Sequence, residues 1–229
     1  MKILSYILLS SLLIFVPAKA LAQEKADSDS TQNYGMFTFK GINVSTDIFG
    51  YAYSMLEDYI SGEVALEVNL GNKFYPVFEV GYGSSDVTDE TNGIHYKSSA
   101  PYYRVGLNYN FSNKVGEAPK NNYIYGLARY GWSNMKYDVS APPITDPVWG
   151  GEVPLNLTDV KGGCNWFEIG AGVNVKIWKH LRMGWSIRYK ARISRDNGPN
   201  SNVWYIPGFG NSRHTTFGAT YNIIYEIPM

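Results

Sequence analysis

From residue 36 onward, apolar and polar side chains alternate with a period of two, the pattern of strands with one buried and one polar face. Eight strands are predicted, near 36–45, 62–70, 73–84, 96–111, 123–138, 163–177, 181–194 and 215–227. In the last, Phe217, Ala219, Tyr221, Ile223, Tyr225 and Ile227 share one face, and Thr216, Gly218, Thr220, Asn222 and Glu226 share the other. Val64, Leu66, Val68 and Leu70 likewise oppose Glu63, Glu67 and Asn69. Phe167 to Ile177 opposes Glu168, Asn174 and Lys176, and Leu181 to Ile193 opposes Arg182, Arg188, Lys190 and Arg192. No helical repeat or second domain interrupts the series. The fold class that follows is all-β: one eight-stranded antiparallel up-and-down barrel over 36–229.

Periodicity does not say which face points outward. A soluble lipocalin-like barrel has the same alternation with its apolar side chains inside. The connections separate the two. The second and sixth links (71–72 and 178–180) are short and the fourth (112–122) is moderate, whereas the odd links (46–61, 85–95, 139–162 and 195–214) are longer. A transmembrane barrel with an even strand count has short turns on the side of its termini and long loops on the other. The apolar rows are long enough to cross a bilayer, at about 10 residues per tilted strand.

The N-terminus supports that choice. Lys2, an apolar run over 3–16 and the sequence Ala20-Leu21-Ala22 read as a secretory signal peptide (1–22) cleaved after Ala22. A polar lead over 23–35 follows and reads as flexible. Thr216, Gly218, Tyr221 and Ile223 resemble the polar-x-Gly-x-x-aromatic-x-apolar assembly signal of outer-membrane proteins. The expected location is the outer membrane of a Gram-negative bacterium, with both termini in the periplasm. The expected partners are outer-membrane lipids and the barrel-assembly machinery. The expected state is a monomer.

Composition adds exclusions. Lys+Arg and Asp+Glu both number 20, and loss of Lys2 and Lys19 with the signal leaves a mature charge of −2. That balance gives no electrostatic case for nucleic acid. Cys164 is the sole cysteine, so there is no internal disulfide and no cysteine-rich zinc site. His95, His180 and His214 lack metal-ligand spacing, and no cofactor is called for. The 19 tyrosines and 6 tryptophans suit membrane interfaces.

The inward face carries the candidate chemistry. Glu63, Glu67, Glu79, Glu168 and Glu226 fall there with Arg104, Arg129, Lys176, Arg182, Arg188, Lys190 and Arg192. Eight strands enclose only enough room for side chains, and buried charge must be paired, so these groups are expected to form a salt-bridged filled interior rather than a pore. Glu63 and Glu67 lie about 13 Å apart along one strand, with nothing to mark them as a catalytic pair. A lipid-modifying enzyme would need rim chemistry. His95 with Ser98 or Ser99 is the candidate, with no nucleophile-elbow motif beside it. No catalytic residue is assigned, and Cys164 reads as a small wall residue.

Among the loops, 48–60 has apolar residues at helical spacing and predicts a short helix at the rim. The segments 141–154 and 204–210 are rich in Pro, Gly and aromatic residues and predict ordered turns. Trp149, Trp204, Tyr205 and Phe209 are candidates either for a recognition platform or for a hydrophobic lid over the lumen.

The stretches GIHYKSSAPYYRVGLNYNF (93–111), ITDPVWGG (144–151), VKIWKHLRMGWSIRYK (175–190) and WYIPGFG (204–210) resemble a family of small outer-membrane β-barrels of Bacteroidota carrying a domain-of-unknown-function number, 6048. The resemblance covers roughly 40–227. It implies the barrel architecture and brings no substrate, cofactor or catalytic residue. The functional expectation is a non-enzymatic role, in envelope structure or in recognition through extracellular loops. The alternatives are a small-ligand binding or narrow transport module and, behind it, a lipid-modifying enzyme.

Overall fold

The computed structural model describes residues 37–54, 59–114, 117–145, 150, 152–198 and 203–227. The expected signal peptide, the whole lead and Trp149 lie outside these residues. Among the described residues the barrel strands are β1 (Phe39–Asp47), β2 (Tyr59–Leu70), β3 (Phe74–Thr88), β4 (His95–Asn110), β5 (Asn122–Thr145), β6 (Glu152–Trp178), β7 (Leu181–Asp196) and β10 (Thr215–Ile227). A helix, α1 (Ile48–Ser54), follows β1, and a small hairpin of β8 (Tyr205–Ile206) and β9 (Gly210–Asn211) precedes β10. The eight long strands close in the order β1-β10-β7-β6-β5-β4-β3-β2, every pair antiparallel.

The outside is apolar. Phe78, Val80 and Tyr82 on β3, Val105 and Leu107 on β4, and Phe167 and Ile169 on β6 are all exposed. A charged interior inside an apolar wall inverts the arrangement of a soluble barrel and matches that of a bilayer-spanning one. The outward apolar rows run from Phe74 to Tyr82 and from Phe167 to Ile177, against the roughly 9–11 residues a tilted strand needs to cross. Aromatic residues bound the belt. At the turn end Phe37, Phe74, Tyr109 and Phe111 form a chain with ring centroids 5.7, 5.3 and 5.3 Å apart. Toward the other end Tyr103 stacks on Trp132 at 5.7 Å. Beyond that level the outward positions become charged and paired, Lys97 with Asp86 at 2.9 Å and Lys136 with Asp159 at 3.0 Å.

The turns explain the register. Gly71 and Asn72 both hold positive φ (59° and 58°), the two-residue geometry whose twist matches the flanking strands. At the moderate link, Glu117 accepts the Lys114 backbone N–H at 3.0 Å. That bond, with the Lys120 ammonium nearby, holds the Glu117 carboxyl below the usual carboxylate range.

The structure corrects three boundaries. The helix predicted over 48–60 is described over Ile48–Ser54, residues 55–58 lie outside the described residues, and Tyr59 and Ile60 already belong to β2. The loop expected over 139–162 is largely strand, with β5 running to Thr145 and β6 starting at Glu152. Pro142 and Pro143 hid this extension. They fall in a register shift between Ala141 and Ile144, where the ladder is already broken and a missing N–H costs little. The loop expected over 195–214 contains the β8–β9 hairpin.

Two glycines accommodate the interior aromatics. A Cβ on Gly81 would sit 2.2 Å from Tyr102 Cζ, and one on Gly131 would sit 2.4 Å from Trp166 Cε2. Both rings are fully buried and have nowhere to move. Gly131→Val is expected to destabilise the barrel by about 1–3 kcal/mol, seen as a lower urea midpoint in vesicles. An unchanged midpoint would show that the ring is not held there.

Candidate functional site

The lumen is filled by three layers. At the turn end Tyr75, Tyr123, Tyr125 and Leu127 form an apolar cluster, with Tyr75 stacked on Tyr123 at 5.8 Å. Arg182 places its guanidinium over the Tyr123 ring at 5.5 Å and pairs with Glu226. Lys176 reaches the same carboxylate at 3.8 Å.

The central layer is an ion-pair network centred on Glu79. Its carboxylate meets Arg104 Nε at 3.0 Å, Arg129 Nε at 3.1 Å and Arg188 Nη1 at 3.1 Å. The Arg104 contact is ionic without hydrogen-bond alignment. Arg104 also pairs with Glu63, and its Nη1 lies 3.3 Å from Glu168 Oε2. Arg188 Nη1 lies 3.5 Å from the same Glu168 oxygen. Lys190 Nζ is 3.9 Å from Glu168 Oε1. Glu67 has no ion-pair partner among the described residues. It accepts from Asn108 Nδ2 at 3.0 Å, and Asn108 Oδ1 in turn accepts from Arg129 Nη2 at 2.6 Å. Arg129 faces Glu168 in the ladder yet bonds Glu79, two strands away. Gly106 makes that reach possible, since a Cβ there would lie 2.6 Å from Arg129 Cδ.

The third layer is a lid. Val203, Tyr205, Ile206 and Phe209 fold into the barrel mouth and pack with Tyr96, Tyr102, Tyr137 and Trp166. Trp204 stacks on Tyr96 at 5.6 Å, and Phe209 meets Trp166 edge-on at 5.9 Å. Polar bonds tie the lid to the wall. The Tyr96 hydroxyl donates to Tyr205 O at 3.1 Å, Lys190 Nζ to Gly208 O at 2.7 Å, and Arg192 Nη1 to Ser212 O at 2.8 Å. Tyr205 and Phe209 are buried and Trp204 is half-buried, so of the two sequence readings these three residues take the lid and present no open platform. Arg192, expected among the interior ion pairs, lies above them and bonds a lid-loop carbonyl instead.

Three participants were missed because they carry no charge. Trp166 Nε1 donates to Glu168 Oε1 at 2.7 Å, the Tyr102 hydroxyl donates to Glu63 Oε2 at 2.9 Å, and Asn108 bridges Glu67 to Arg129. Trp166 shares strand parity with Glu168, and Tyr102 with Arg104, a signal available in the sequence.

The rim candidate does not assemble within β4. Ser98 is buried on the inward face while His95 lies on the other, and Ser99 shares the His95 face but sits four residues along the strand, about 13 Å away. His95 shares a hydrogen bond with Thr88 Oγ1 at 2.9 Å through Nδ1 and approaches Asp86 at 3.3 Å through Nε2. Asp86 is also paired with Lys97. Cys164 is buried in the lid cluster.

Fold and interior together define a small barrel with an apolar wall and a filled, ion-paired lumen. The chain belongs to the family described as Domain of unknown function (DUF6048), whose model matches residues 3–229. Comparison with curated proteins finds no match. Among solved structures it is similar to a major outer membrane protein from Thermus thermophilus, at 13% identity and a TM-score of 0.47, covering 83% of this chain and 100% of that one. It is also similar to Neisserial surface protein A (11%, TM-score 0.45, covering 83% and 99%). A third is Ail, the attachment invasion locus protein of Yersinia pestis (9%, TM-score 0.38, covering 83% and 99%). The closed topology itself rests on the strand pairing of this chain.

Proposed function

We propose that the protein is an outer-membrane barrel with a closed lumen that acts through its exposed hairpins, in envelope structure or recognition, and is neither a pore nor an enzyme. The observation that carries this reading is the apolar belt around an interior crossed by a buried ion-pair layer. Orientation follows from the hairpins. The short turns at 71–73 and 179–180 share an end with the first and last barrel residues and are assigned to the periplasm, and the tall β5–β6 hairpin is assigned to the cell exterior. Outer-membrane lipids and the barrel-assembly machinery are its partners in this reading, and it works as a monomer. The rim geometry supports a non-enzymatic role, because Ser98 faces the opposite side of the strand from His95 and Ser99 lies about 13 Å along it.

The test is fractionation followed by electrical recording. The protein is expected to stay with urea-washed outer membranes and to show no unitary conductance in planar bilayers. Recovery as a detergent-free periplasmic species would overturn the location, and steady single-channel steps would overturn the closed lumen.

A further inference from the structure

The barrel seam is incomplete on one flank. β1 pairs with β10 only from Ile42↔Ile227 to Asp47↔Asn222, whereas β10 continues against β7 up to Thr215↔Ala191. Among the described residues, 215–221 of β10 therefore have a neighbouring strand on one side alone. This edge lies within the apolar belt, because Phe217 is 75% exposed and sits opposite Tyr189. A bare strand edge in hydrocarbon costs several kcal/mol per unmet backbone group unless it is covered or lines a cavity. The Tyr221 N–H is met by Asp47 Oδ1 at 2.9 Å. Beyond it α1 stands where the strand would be, with Tyr51 lying on Gly62 and Gly50 close to the Ser61 carbonyl. A helix satisfies its own backbone and cannot complete the ladder.

Behind this edge is a chamber of about 420 Å³, bordered by Ser61, Lys190, Gly208, Phe209, Thr216 and Gly218. Two carboxylates also line it, and both are occupied. Glu63 is held by Arg104 and Tyr102, and Asp47 takes backbone N–H groups from Phe49, Gly50 and Tyr221. Lys190 is different. Its ammonium has three donors, one close hydrogen bond, to Gly208 O, and the longest ion pair of the central layer, 3.9 Å. Among the described residues the chamber thus combines apolar lining at Phe217 and Phe49, a strand edge without a ladder neighbour and a cation with donors to spare.

We propose that this seam is a lateral binding site for a single-chain amphiphile with an acidic headgroup, its acyl chain lying against Phe217 in the belt and its headgroup reaching Lys190. The proposal rests on the outer-membrane reading above. A carboxylate suits the site better than a phosphate monoester, whose charge of about −1.5 to −2 would face Glu63 and Glu168.

The full chain in detergent, titrated with dansyl-labelled undecanoic acid, tests this by fluorescence. Saturable one-to-one binding is expected. Lys190→Gln should weaken it about tenfold or more. Gly218→Leu, whose Cβ would lie 3.0 Å from Lys190 Cε and whose branch would occupy the gap, should abolish it. Lys136→Gln, on the far hairpin, should leave it unchanged. The neutral dansyl undecanamide should bind about tenfold more weakly, and acetate should not compete, which separates an amphiphile from a free anion. Heat-modifiable gel mobility checks folding, and Lys190→Gln alone decides the matter if Gly218→Leu does not fold. Equal signals from wild type and Lys190→Gln, or from acid and amide, would refute the site. A dimer that protects β10 amides from exchange would also refute it, since a second copy would then cover the edge. Binding by a protein that fails to fractionate with outer membranes would leave the site standing and remove the location. Membrane fractionation without saturable binding would do the reverse.

Discussion

Glu79→Gln is expected to cost the barrel about 3–5 kcal/mol, the usual consequence of stripping one partner from a buried ion pair. The substitution keeps the side chain's size and removes the one charge shared by Arg104, Arg129 and Arg188. Arg104 and Arg188 retain Glu168 within 3.3 and 3.5 Å, but Arg129 keeps no other carboxylate within ion-pair distance among the described residues. Urea titration of the protein in phospholipid vesicles, followed by tryptophan fluorescence, reads the loss. Adding Arg129→Gln should recover part of it, because the most exposed consequence of the first change, an unpaired guanidinium, is then gone. By contrast, Lys136→Gln breaks a solvent-exposed pair with Asp159 and should shift stability by no more than about 1 kcal/mol. A Glu79→Gln loss as small as that would mean that water already reaches the central layer.

Phe209→Ala is expected to remove about 3–5 kcal/mol from the lid while leaving the barrel impermeable. Phe209 is buried against Trp166 and is held in a tight turn by its own N–H to Ile206 O at 3.1 Å. Truncation empties the space between lid and central layer. The lid stands outside the barrel ladder, so the effect should appear as local opening rather than global unfolding. Hydrogen exchange at the amides of Phe209 and Ser212 should accelerate strongly, while the β3–β4 ladder stays protected. Planar-bilayer recordings should remain silent, because the ion-pair layer beneath is complete without the lid. Unitary conductance in Phe209→Ala would identify the lid as the sole seal.

Strand parity made much of this legible. Each barrel strand was visible as alternation, and the odd-or-even position of Glu79, Arg104, Glu168 and Arg188 placed them inside together. Parity gives a side but not a height or a partner. Arg192 shares the inward face with Arg188 yet lies above the network, bonded to Ser212 O. Arg129 passes over its ladder neighbour Glu168 to reach Glu79, and that choice depends on the empty space at Gly106, which no charge pattern reveals. Segment 203–211 has no period to read. Its prolines, glycines and aromatics fit a lid or a platform equally well until packing against Tyr96, Tyr102 and Trp166 decides. Proline misled once, at Pro142 and Pro143, where the bulge tolerates a residue that a regular ladder rejects.

The uneven seam also gives the molecule a front and a back. β5 and β6 stay paired up to Thr145↔Glu152, while on the other flank of the ring β1 leaves β10 at Asp47. The wall is therefore tall on one flank and low on the other, like a collar cut on a slant. A barrel of this kind is not rotationally equivalent within the plane of its membrane. Neighbouring lipids and proteins meet a raised ribbon of paired strand from one direction and a lowered, apolar threshold from the other, so its lateral surroundings are expected to be ordered by compass bearing as well as by depth.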